Sequence, residues 1–251
     1  MIKQRTLPVL FLALFSLSFV KPPLSFKRQQ LKYKTVNTAY AEKWDIVKSK
    51  LTRAGVDTSH FEIFLRIFKY EEKLELWARS GNSKQFTLVD TYDICRGPGT
   101  IGPKRREGDG QVPEGFYSVN AFQPASEFYL ALGVSYPNKA DLINGDPKNP
   151  GGDIMIHGNC VTIGCMPMTD EKIKEIYIMA VEARNNGEQN IPIHIFPTRM
   201  DEKGMALLQS TSSDKSLLAF WGNLKTGYNY FETKKTLPLV SVTSKGEYSF
   251  Q

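Results

Sequence analysis

Apolar and polar positions alternate along the first half of the chain, and this pattern predicts β-strands. Ile63 to Lys69 and Leu74 to Arg79 alternate with a period of two and are joined by the charged turn Tyr70 to Lys73. The same reasoning predicts further strands at Phe86 to Cys95, Gly115 to Phe122, Asp153 to His157 and Ile191 to Phe196.

Helical periodicity is concentrated in the second half of the chain. Apolar residues recur at helical spacing from Ile173 to Val181, Thr169 is suited to cap the start of that helix, and the Asn185-Asn186-Gly187 stretch is suited to end it. Further helices are predicted at Glu42 to Ala54, Met200 to Gln209 and Lys215 to Leu224, with a polar, aromatic tail after Tyr228. Strands followed by helices indicate an α+β domain.

The first forty-one residues differ from the rest of the chain in charge and hydropathy. Lys3 and Arg5 precede the apolar run Leu7 to Val20, which is too short to span a bilayer comfortably and fits a secretory signal. We therefore expect residues 1–41 to be a signal peptide or leader and the protein to be exported to the periplasm or cell envelope. An uncleaved anchor is the alternative, and the basic residues 21–34 disfavour it by charge bias.

Two cleavage positions suit this leader. One follows Ser18, and the other follows Ala41 in an Ala-x-Ala site that lies far from the apolar run. Either would leave a chain for which no stable membrane span is expected.

Composition bounds the class of protein. The chain has 251 residues, of which 41% are hydrophobic, so it can bury a core in one domain. Its net charge is +6, but residues 1–41 contain seven basic and no acidic residues, which leaves about −1 for the remainder. The basicity therefore belongs to the leader, and the charge gives no support for a nucleic-acid partner.

The candidate chemistry is concentrated in one short segment. Met155 to Asp170 reads M-I-H-G-N-C-V-T-I-G-C-M-P-M-T-D and contains His157 and Cys165 among glycines. A thiol nucleophile needs a nearby imidazole to take its proton and a backbone that approaches the substrate carbonyl closely. A helix beginning after Thr169 and a protonated His157 would both lower the thiol pKa if they lie close to the sulfur.

At this point the chain resembles the L,D-transpeptidase catalytic domain, the YkuD-like family, and within it the YafK branch. The resemblance runs from about Phe61 to Phe231 and includes several motifs in the same order. Besides the Cys165 segment, these are F-L-R-I-F-K-Y-E-E-K-L-E-L-W (Phe64 to Trp77), G-P-K-R-R-E-G-D (Gly102 to Asp109), V-P-E-G-F-Y-S-V (Val112 to Val119) and L-K-T-G-Y-N-Y-F (Leu224 to Phe231).

This resemblance implies a fold and a domain division. The fold is an α+β domain with a strongly curved mixed β-sheet, one main helix behind the nucleophile turn and C-terminal helices. An N-terminal helical segment at 42–60 would precede the catalytic domain at 61–200. A helical extension and tail would follow at 201–251.

The resemblance also implies roles for individual residues. Cys165 matches the nucleophile and His157 the base, while Gly164 matches the glycine before the nucleophile. Backbone N–H groups around Ile163, Gly164 and Cys165 would bind the oxyanion. A backbone carbonyl or Asp153 would orient His157.

The chain departs from the main family at two positions. Ile163 and Pro167 replace a histidine and an arginine, and losing the arginine removes a bidentate partner for a substrate carboxylate. Substrate recognition should therefore differ. Candidate substrate-binding residues are Lys104, Arg105, Arg106, Gly158 and Thr162, although the three basic residues also suit an ordinary solvated loop.

The implied function is a cysteine enzyme that modifies peptidoglycan without a cofactor. Cys165 would take up a stem peptide at the L-centre of a diamino acid and pass it to an amine or to water. The alternatives are a hydrolase that cleaves L,D-type links or releases a wall-attached protein, and a non-catalytic cell-wall binding module.

The other cysteines and histidines have competing interpretations. A Cys95–Cys160 disulfide would leave Cys165 free, whereas His157, Cys160 and Cys165 could instead form a poor zinc site with three ligands. We expect no metal. His194 is interpreted as a surface or half-buried strand residue, and His60 is given no role.

Two glycine-containing stretches are interpreted as loops. Gly97 to Gly102 matches G-x-G-x-x-G, but flanking prolines and the absence of a following helical pattern argue against a dinucleotide site. Asp141 to Asp153 resembles a calcium loop only faintly, and we expect it to border the active site.

Overall fold

The computed structural model describes residues 25–95, 97 and 99–251. The predicted apolar leader run and the cleavage position after Ser18 lie outside these residues. Within the described residues, the helices lack the combination of length and apolar character needed to cross a bilayer.

Eight strands form one mixed sheet in the order β3-β2-β1-β8-β4-β5-β6-β7. The strands are β1 (Phe61–Phe68), β2 (Lys73–Ser80), β3 (Thr87–Asp93), β4 (Gly115–Ser126), β5 (Tyr129–Val134), β6 (Met155–His157), β7 (Met166–Pro167) and β8 (Pro192–Phe196). The pairs β1–β8 and β6–β7 are parallel and the others antiparallel. The α+β class and the curled sheet are as predicted.

Strand β4 joins the two halves of the sheet. Its first residues, Gly115 to Ser118, pair with β8, and Val119 to Ser126 pair with β5. The β4–β5 register shifts twice, and such irregularities increase strand twist and bend a sheet. One long strand therefore turns from the β1–β2–β8 half toward the half that carries His157.

Both faces of β1 are buried, which explains its nearly continuous apolar sequence. Phe61, Ile63 and Leu65 join the main core, which also contains residues of the helices on that face. Phe64 and Phe68 point to the other face, where they join aromatic clusters with residues near the C-terminus. The sheet is thus the middle layer of a three-layer arrangement.

Helix α4 (Asp170–Asn185) is the main helix of the first face. The Thr169 hydroxyl accepts a hydrogen bond from the Lys172 N–H, as its predicted capping role requires, and the helix ends one residue before Asn186. Every residue from Ile173 to Ala183 is buried because other helices cover the side away from the sheet.

Those covering helices are α1 (Phe26–Gln30) and α2 (Lys34–Arg53). Residues predicted to belong to a leader ending at 41 therefore lie in helices packed on the domain, and α2 begins eight residues before the predicted Glu42. Its start lacks a side-chain cap, since Tyr33 makes no capping hydrogen bond. Ala39, next to the second candidate cleavage site, is fully buried inside α2.

The C-terminal segment covers the other face of the sheet. Helices α5 (Glu202–Thr211) and α6 (Lys215–Lys234) are followed by a hairpin of β9 (Val240–Val242) and β10 (Tyr248–Phe250). The prediction of a polar tail after Tyr228 is wrong, because α6 continues for six residues beyond it and buries Tyr228 and Phe231 against the sheet.

The structure can be compared with the predictions for the two glycine-containing stretches and for His194. The residues from Gly99 to Gly102 form bends rather than a helix. The loop predicted at Asp141 to Asp153 instead begins inside the short helix α3 (Lys139–Asn144), which Asn138 caps. His194 is 3% exposed and packs edge-on against Phe64 and Phe116, so its prediction as a surface or half-buried residue is wrong.

Candidate active site

The short parallel pair β6–β7 brings the two predicted catalytic residues to one cavity. Ile156 pairs with Met166 and His157 with Pro167, so Cys165 lies directly before β7 at the level of Met155. Side chains of paired and alternate residues share a face of a sheet. His157 and Cys165 accordingly line the same cavity, whose volume is about 620 Å³.

Residues from four segments line this catalytic cavity. Besides His157 and Cys165 they are Lys104, Glu107, Gly108, Gly110, Phe128, Gly151, Gly152, Asp153, Ile154, Val161, Thr162, Ile163 and Gly164. The predicted residues Lys104, Thr162, Ile163 and Gly164 are among them. Gly158, Arg105 and Arg106 are not.

His157 is held in one orientation by its own neighbour. Its Nδ1 lies 2.6 Å from the carbonyl oxygen of Gly158, and its ring lies against Phe128 with 4.8 Å between ring centres. A carbonyl oxygen only accepts hydrogen bonds, so Nδ1 carries the proton and Nε2 is left as the basic nitrogen. The orienting group is therefore a backbone carbonyl rather than Asp153, and Gly158 acts through it.

Cys165 is a half-buried free thiol. Its Sγ lies 3.5 Å from the carbonyl oxygen of Asp153. Burial raises the thiol pKa above its usual value and outweighs the opposing hydrogen bond from the Met155 backbone and the nearby charge of Lys104.

Burial likewise lowers the pKa of His157, against the hydrogen bond to Gly158. The two shifts favour a neutral thiol beside a neutral imidazole. These shifts run against the expectation that a protonated His157 and a helix dipole lower the thiol pKa. Removal from water penalises both charged forms by more than the surrounding dipoles compensate.

The turn before the nucleophile is organised by the hydroxyl of Thr162. The N–H groups of Gly164 and Cys165 donate to Thr162 Oγ1 at 3.0 and 2.7 Å, and the hydroxyl lies 2.9 Å from the Cys165 carbonyl oxygen. Gly164 has a φ of +145°, a conformation that side chains with a Cβ rarely adopt. Thr162 and Gly164 thus determine the path of the turn.

A disulfide and a helix start hold the segment between His157 and Cys165. Cys95 and Cys160 are bonded, as predicted, so Cys160 is not available as the third zinc ligand. Asp170 in the first turn of α4 accepts a hydrogen bond from the Asn159 N–H at 2.8 Å. No group of metal-ligating side chains occurs among the residues that the structure describes.

The three basic residues of the loop 101–111 point to different places. Lys104 is buried beside the catalytic cavity, where its Nζ donates to Asp109 Oδ1 and to the Arg106 carbonyl, both at 2.8 Å. Arg105 lines a separate cavity, and Arg106 is exposed outside the lining of both. The three candidate substrate-binding side chains therefore do not share one cavity.

Both ends of that loop are attached to the buried pair of Glu114 and Lys69, since Lys69 Nζ donates to the carbonyl oxygens of Gly102 at 2.6 Å and Val112 at 3.0 Å. Glu114 Oε1 accepts hydrogen bonds from the Gly102 N–H at 2.8 Å and from Lys69 Nζ at 3.0 Å. Its Oε2 accepts from Trp221 Nε1 of α6 at 2.9 Å. Glu114 is fully buried and Lys69 is 3% exposed. We call Lys69, Glu114 and Trp221 the loop clamp, because their hydrogen bonds tie the C-terminal segment to the wall of the catalytic cavity.

Sequence reasoning did not identify the apolar wall of the cavity. Phe128 lies at the β4–β5 turn, Val161 precedes Thr162, and Ile163 is 96% exposed although it is apolar. None of them belongs to a periodic pattern. The sequence predicts Ile163 at the site only through its backbone N–H, and Phe128 and Val161 are identified only by their proximity to His157 and Cys165 in the fold.

The chain is similar in sequence to proteins of one known family. Residues 70–195 match the model of the L,D-transpeptidase catalytic domain, YkuD. Over 184 residues the chain is 39% identical to the Escherichia coli K12 protein named "Putative L,D-transpeptidase YafK", covering 72% of this chain and 71% of that one. This chain belongs to the L,D-transpeptidase catalytic domain family. An Escherichia coli O157:H7 protein of the same name matches equally.

Solved structures show weaker similarity to this L,D-transpeptidase-family chain. The helical cell shape determining protein Pgp2 from Campylobacter jejuni is 17% identical with a TM-score of 0.44, covering 78% of this chain and 80% of that one. Bd1075 from Bdellovibrio bacteriovorus is 19% identical with a TM-score of 0.40, covering 73% and 77%. The L,D-transpeptidase family acts on peptidoglycan.

Proposed function

We propose that this chain is a cysteine acyltransferase or peptidase that uses Cys165 to take up a peptidoglycan stem peptide at the L-centre of a diamino acid. One observation carries the proposal. The free thiol of Cys165 and the imidazole of His157 line one open cavity, and the Gly158 carbonyl fixes the tautomer that leaves Nε2 basic. Family membership supports the same chemistry.

The raised thiol pKa and the lowered imidazole pKa define the first step. Because both shifts favour the neutral forms, the thiol proton passes to His157 Nε2 as the sulfur attacks the carbonyl carbon. The resulting tetrahedral intermediate collapses by breaking the C–N bond. His157 then gives its proton to the departing amine, leaving a thioester on Cys165.

Oxyanion stabilisation in this mechanism involves the nucleophile turn. We propose that the N–H groups of Ile163 and Gly164 bind the developing charge. The Gly164 N–H already donates to Thr162 Oγ1, as does that of Cys165. When the intermediate forms, the Gly164 N–H must therefore leave the Thr162 hydroxyl and donate to the oxyanion instead.

Lys104 is the proposed binding group for a substrate carboxylate in the catalytic cavity. Its ammonium is buried beside that cavity, and it contributes a favourable charge at Cys165. The arginine of the main family is replaced by Pro167, which is buried in β7. A lysine in the 101–111 loop would thus supply the positive charge that the nucleophile segment lacks.

The acyl-enzyme has two possible fates. An amine acceptor from another stem peptide or an anchored protein gives transfer, whereas water gives cleavage. Hydrolysis, including release of a wall-attached protein, is the second candidate. It is favoured by the departures from the main family at Ile163 and Pro167. Both outcomes share the thioester and the same two catalytic residues.

We further propose that the protein acts in the periplasm or cell envelope, where peptidoglycan is located. A leader cleaved after Ser18 would leave α1 and α2 intact. Cleavage after Ala41 would remove α1 and the first part of α2, which pack on α4. N-terminal sequencing of the exported protein should therefore find a start before Phe26.

The decisive experiment is incubation of the full chain with defined muropeptides, with the products identified by mass spectrometry. We expect a thioester adduct on Cys165 and either a new amide or a shortened stem. Cys165→Ala should abolish both. His60→Ala is the matched control, since His60 is exposed and lies outside the catalytic cavity.

The competing function is a binding module that retains the fold without catalysis. It predicts that Cys165→Ala binds the muropeptides and supports the cellular phenotype as well as the unmodified chain does. Absence of any thioester or product from the unmodified protein, together with intact binding by Cys165→Ala, would replace the enzyme proposal by this one.

A further inference from the structure

A second cavity lies on the other side of the 101–111 loop from Cys165, with a volume of about 610 Å³. Its walls come from that loop, from the start of α6, from Asn144 and from the β9–β10 turn. The residues the argument uses are Arg105, Gln111, Phe220, Lys245 and Glu247. Much of this wall lies beyond residue 195, outside the part of the chain that matches the family model.

The loop is a thin wall between the two cavities. Lys104 and Gly110 line the catalytic cavity, while the neighbouring Arg105 and Gln111 line the second one. The Gln111 carbonyl oxygen lies 3.6 Å from the position that a Cβ on Gly164 would occupy. The second cavity therefore comes close to the nucleophile turn.

This wall has a fixed position. The loop clamp of Lys69, Glu114 and Trp221 holds both ends of the loop, and Asp109 accepts hydrogen bonds from the backbone N–H groups of Arg105 and Arg106. Lys104 and Arg105 are consecutive residues, and they are held facing different cavities.

The charged side chains of the second cavity have no ionic partners among the described residues. The Arg105 guanidinium lies 5.1 Å from the centre of the Phe220 ring, which leaves its N–H groups free to donate. Lys245 and Glu247 make hydrogen bonds only through their backbone atoms, in the β9–β10 turn. Two cationic groups therefore converge from separate elements, with two carboxylates beside them: Glu247, and Asp214, whose Oδ1 caps the start of α6.

We propose that the second cavity binds a carboxylate-bearing peptide segment on the amine side of the reacting bond. Arg105 forms the main contact, because the paired N–H donors of a guanidinium match the two oxygens of a carboxylate. The Phe220 ring lies against the guanidinium, with its centre 5.1 Å away. Lys245 adds a second positive charge, and Glu247 accepts an ammonium group of the same segment. This site rests on the proposed acyl-transfer function and specifies what that function recognises.

The test separates formation of the thioester from its reaction with an amine. The full chain is first acylated by a stem-peptide donor, and the thioester is then offered either of two acceptors at increasing concentration. One is a tripeptide stem with a free terminal carboxylate, and the other is the same peptide with that carboxylate converted to an amide. Mass spectrometry follows the transfer product.

Arg105→Ala should raise the acceptor concentration for half-maximal transfer about tenfold for the carboxylate peptide and leave it unchanged for the amide, because only one of them offers the lost charged hydrogen bonds. Lys245→Gln, at an exposed position, should act in the same direction with a smaller effect. Arg53→Ala is the matched control, because Arg53 is exposed in the last turn of α2 and lies outside both cavities.

Equal effects of Arg105→Ala on both acceptors, or no effect on either, would overturn the proposal. If water is the only acceptor that reacts, the same comparison is made on donors whose leaving segment carries a carboxylate or an amide. Failure to form any thioester would instead contradict the proposed function. Thermal melting of each variant verifies that the chain is folded.

Discussion

The sheet has a framework half, formed by β1, β2, β3 and β8, and a site half, formed by β5, β6 and β7, with β4 joining them. The two halves differ in the interactions that stabilise them. Strands β1 and β2 pair over eight residues, from Phe61 with Ser80 to Phe68 with Lys73, and both faces of β1 are buried. Strands β6 and β7 pair over only two residues. The site half relies instead on a disulfide, a capped helix and the Thr162 hydroxyl. A long ladder tolerates single losses, whereas the site half depends on individual groups.

The largest expected effect is on chemistry rather than stability. His157→Gln removes the basic Nε2, and we expect the rate of thioester formation to fall by about 10²- to 10⁴-fold, the usual contribution of a positioned general base. Rapid-quench mass spectrometry with a stem-peptide donor measures this rate. A loss smaller than about tenfold would show that another group accepts the thiol proton.

Removing the disulfide tests whether the site half depends on it. The pair Cys95→Ser with Cys160→Ser opens a link across 65 residues, and the chain-entropy account predicts a loss of about 4 kcal/mol in the free energy of unfolding. Urea unfolding measures that loss. Because Cys160 lies between His157 and Cys165, thioester formation should also slow under conditions where the protein stays folded.

Leu65→Ala is the matched variant in the other half. Leu65 is fully buried in β1, and its truncation should cost about 2 to 5 kcal/mol of unfolding free energy. The folded fraction should form the thioester at the unmodified rate. Equal kinetic losses in the two variants would contradict the division of the sheet into a framework half and a site half.

A smaller effect is expected at the nucleophile turn. Thr162→Val keeps the side-chain shape but removes the acceptor of the Gly164 and Cys165 N–H groups. The bond from the Cys165 N–H is the one retained when the Gly164 N–H turns to the oxyanion, and one neutral hydrogen bond corresponds to at most roughly a tenfold decrease in the rate of thioester formation. Thr162→Ser restores the hydroxyl and should restore the rate. If valine and serine behave alike, the hydroxyl does not position the turn.

The smallest effect is a shift along the pH axis. Since burial raises the thiol pKa, alkylation of Cys165 by iodoacetamide should have its midpoint above the ordinary cysteine value of about 8.5. His157 has a lowered pKa, so it stays neutral and basic down to pH values below about 6.5. A midpoint below 8.5 in the folded protein, with the urea-unfolded chain as control, would indicate a preformed thiolate.

Much of the framework half could be predicted from the sequence. Strands β1 and β2 alternate clearly, and α4 shows a helical period with recognisable signals at both ends. Strand β5 lacks such a signal because its residues are buried with little alternation. Strand β7 is only two residues long, and no periodicity can reveal it.

The site could be predicted as far as its residue types and their order along the chain. The odd number of cysteines only suggests a Cys95–Cys160 bond, since spacing alone does not give the geometry of a disulfide. Cys165 and His157, by contrast, are predicted from the motif. Their ionisation could not be predicted, because it depends on how far each group is removed from water. The consecutive Lys104 and Arg105 look equivalent in sequence, yet the loop directs them to different cavities.

The indole of Trp221 makes the catalytic domain dependent on the C-terminal segment, because it donates to the buried Glu114. A chain ending at residue 200 would keep the whole segment that matches the family model, residues 70–195, but it would lose the donor to Glu114 and the aromatic rings around the guanidinium of Arg66. Water would then have to reach two charged groups that the intact protein excludes from solvent. Truncation there should yield insoluble material rather than a smaller enzyme.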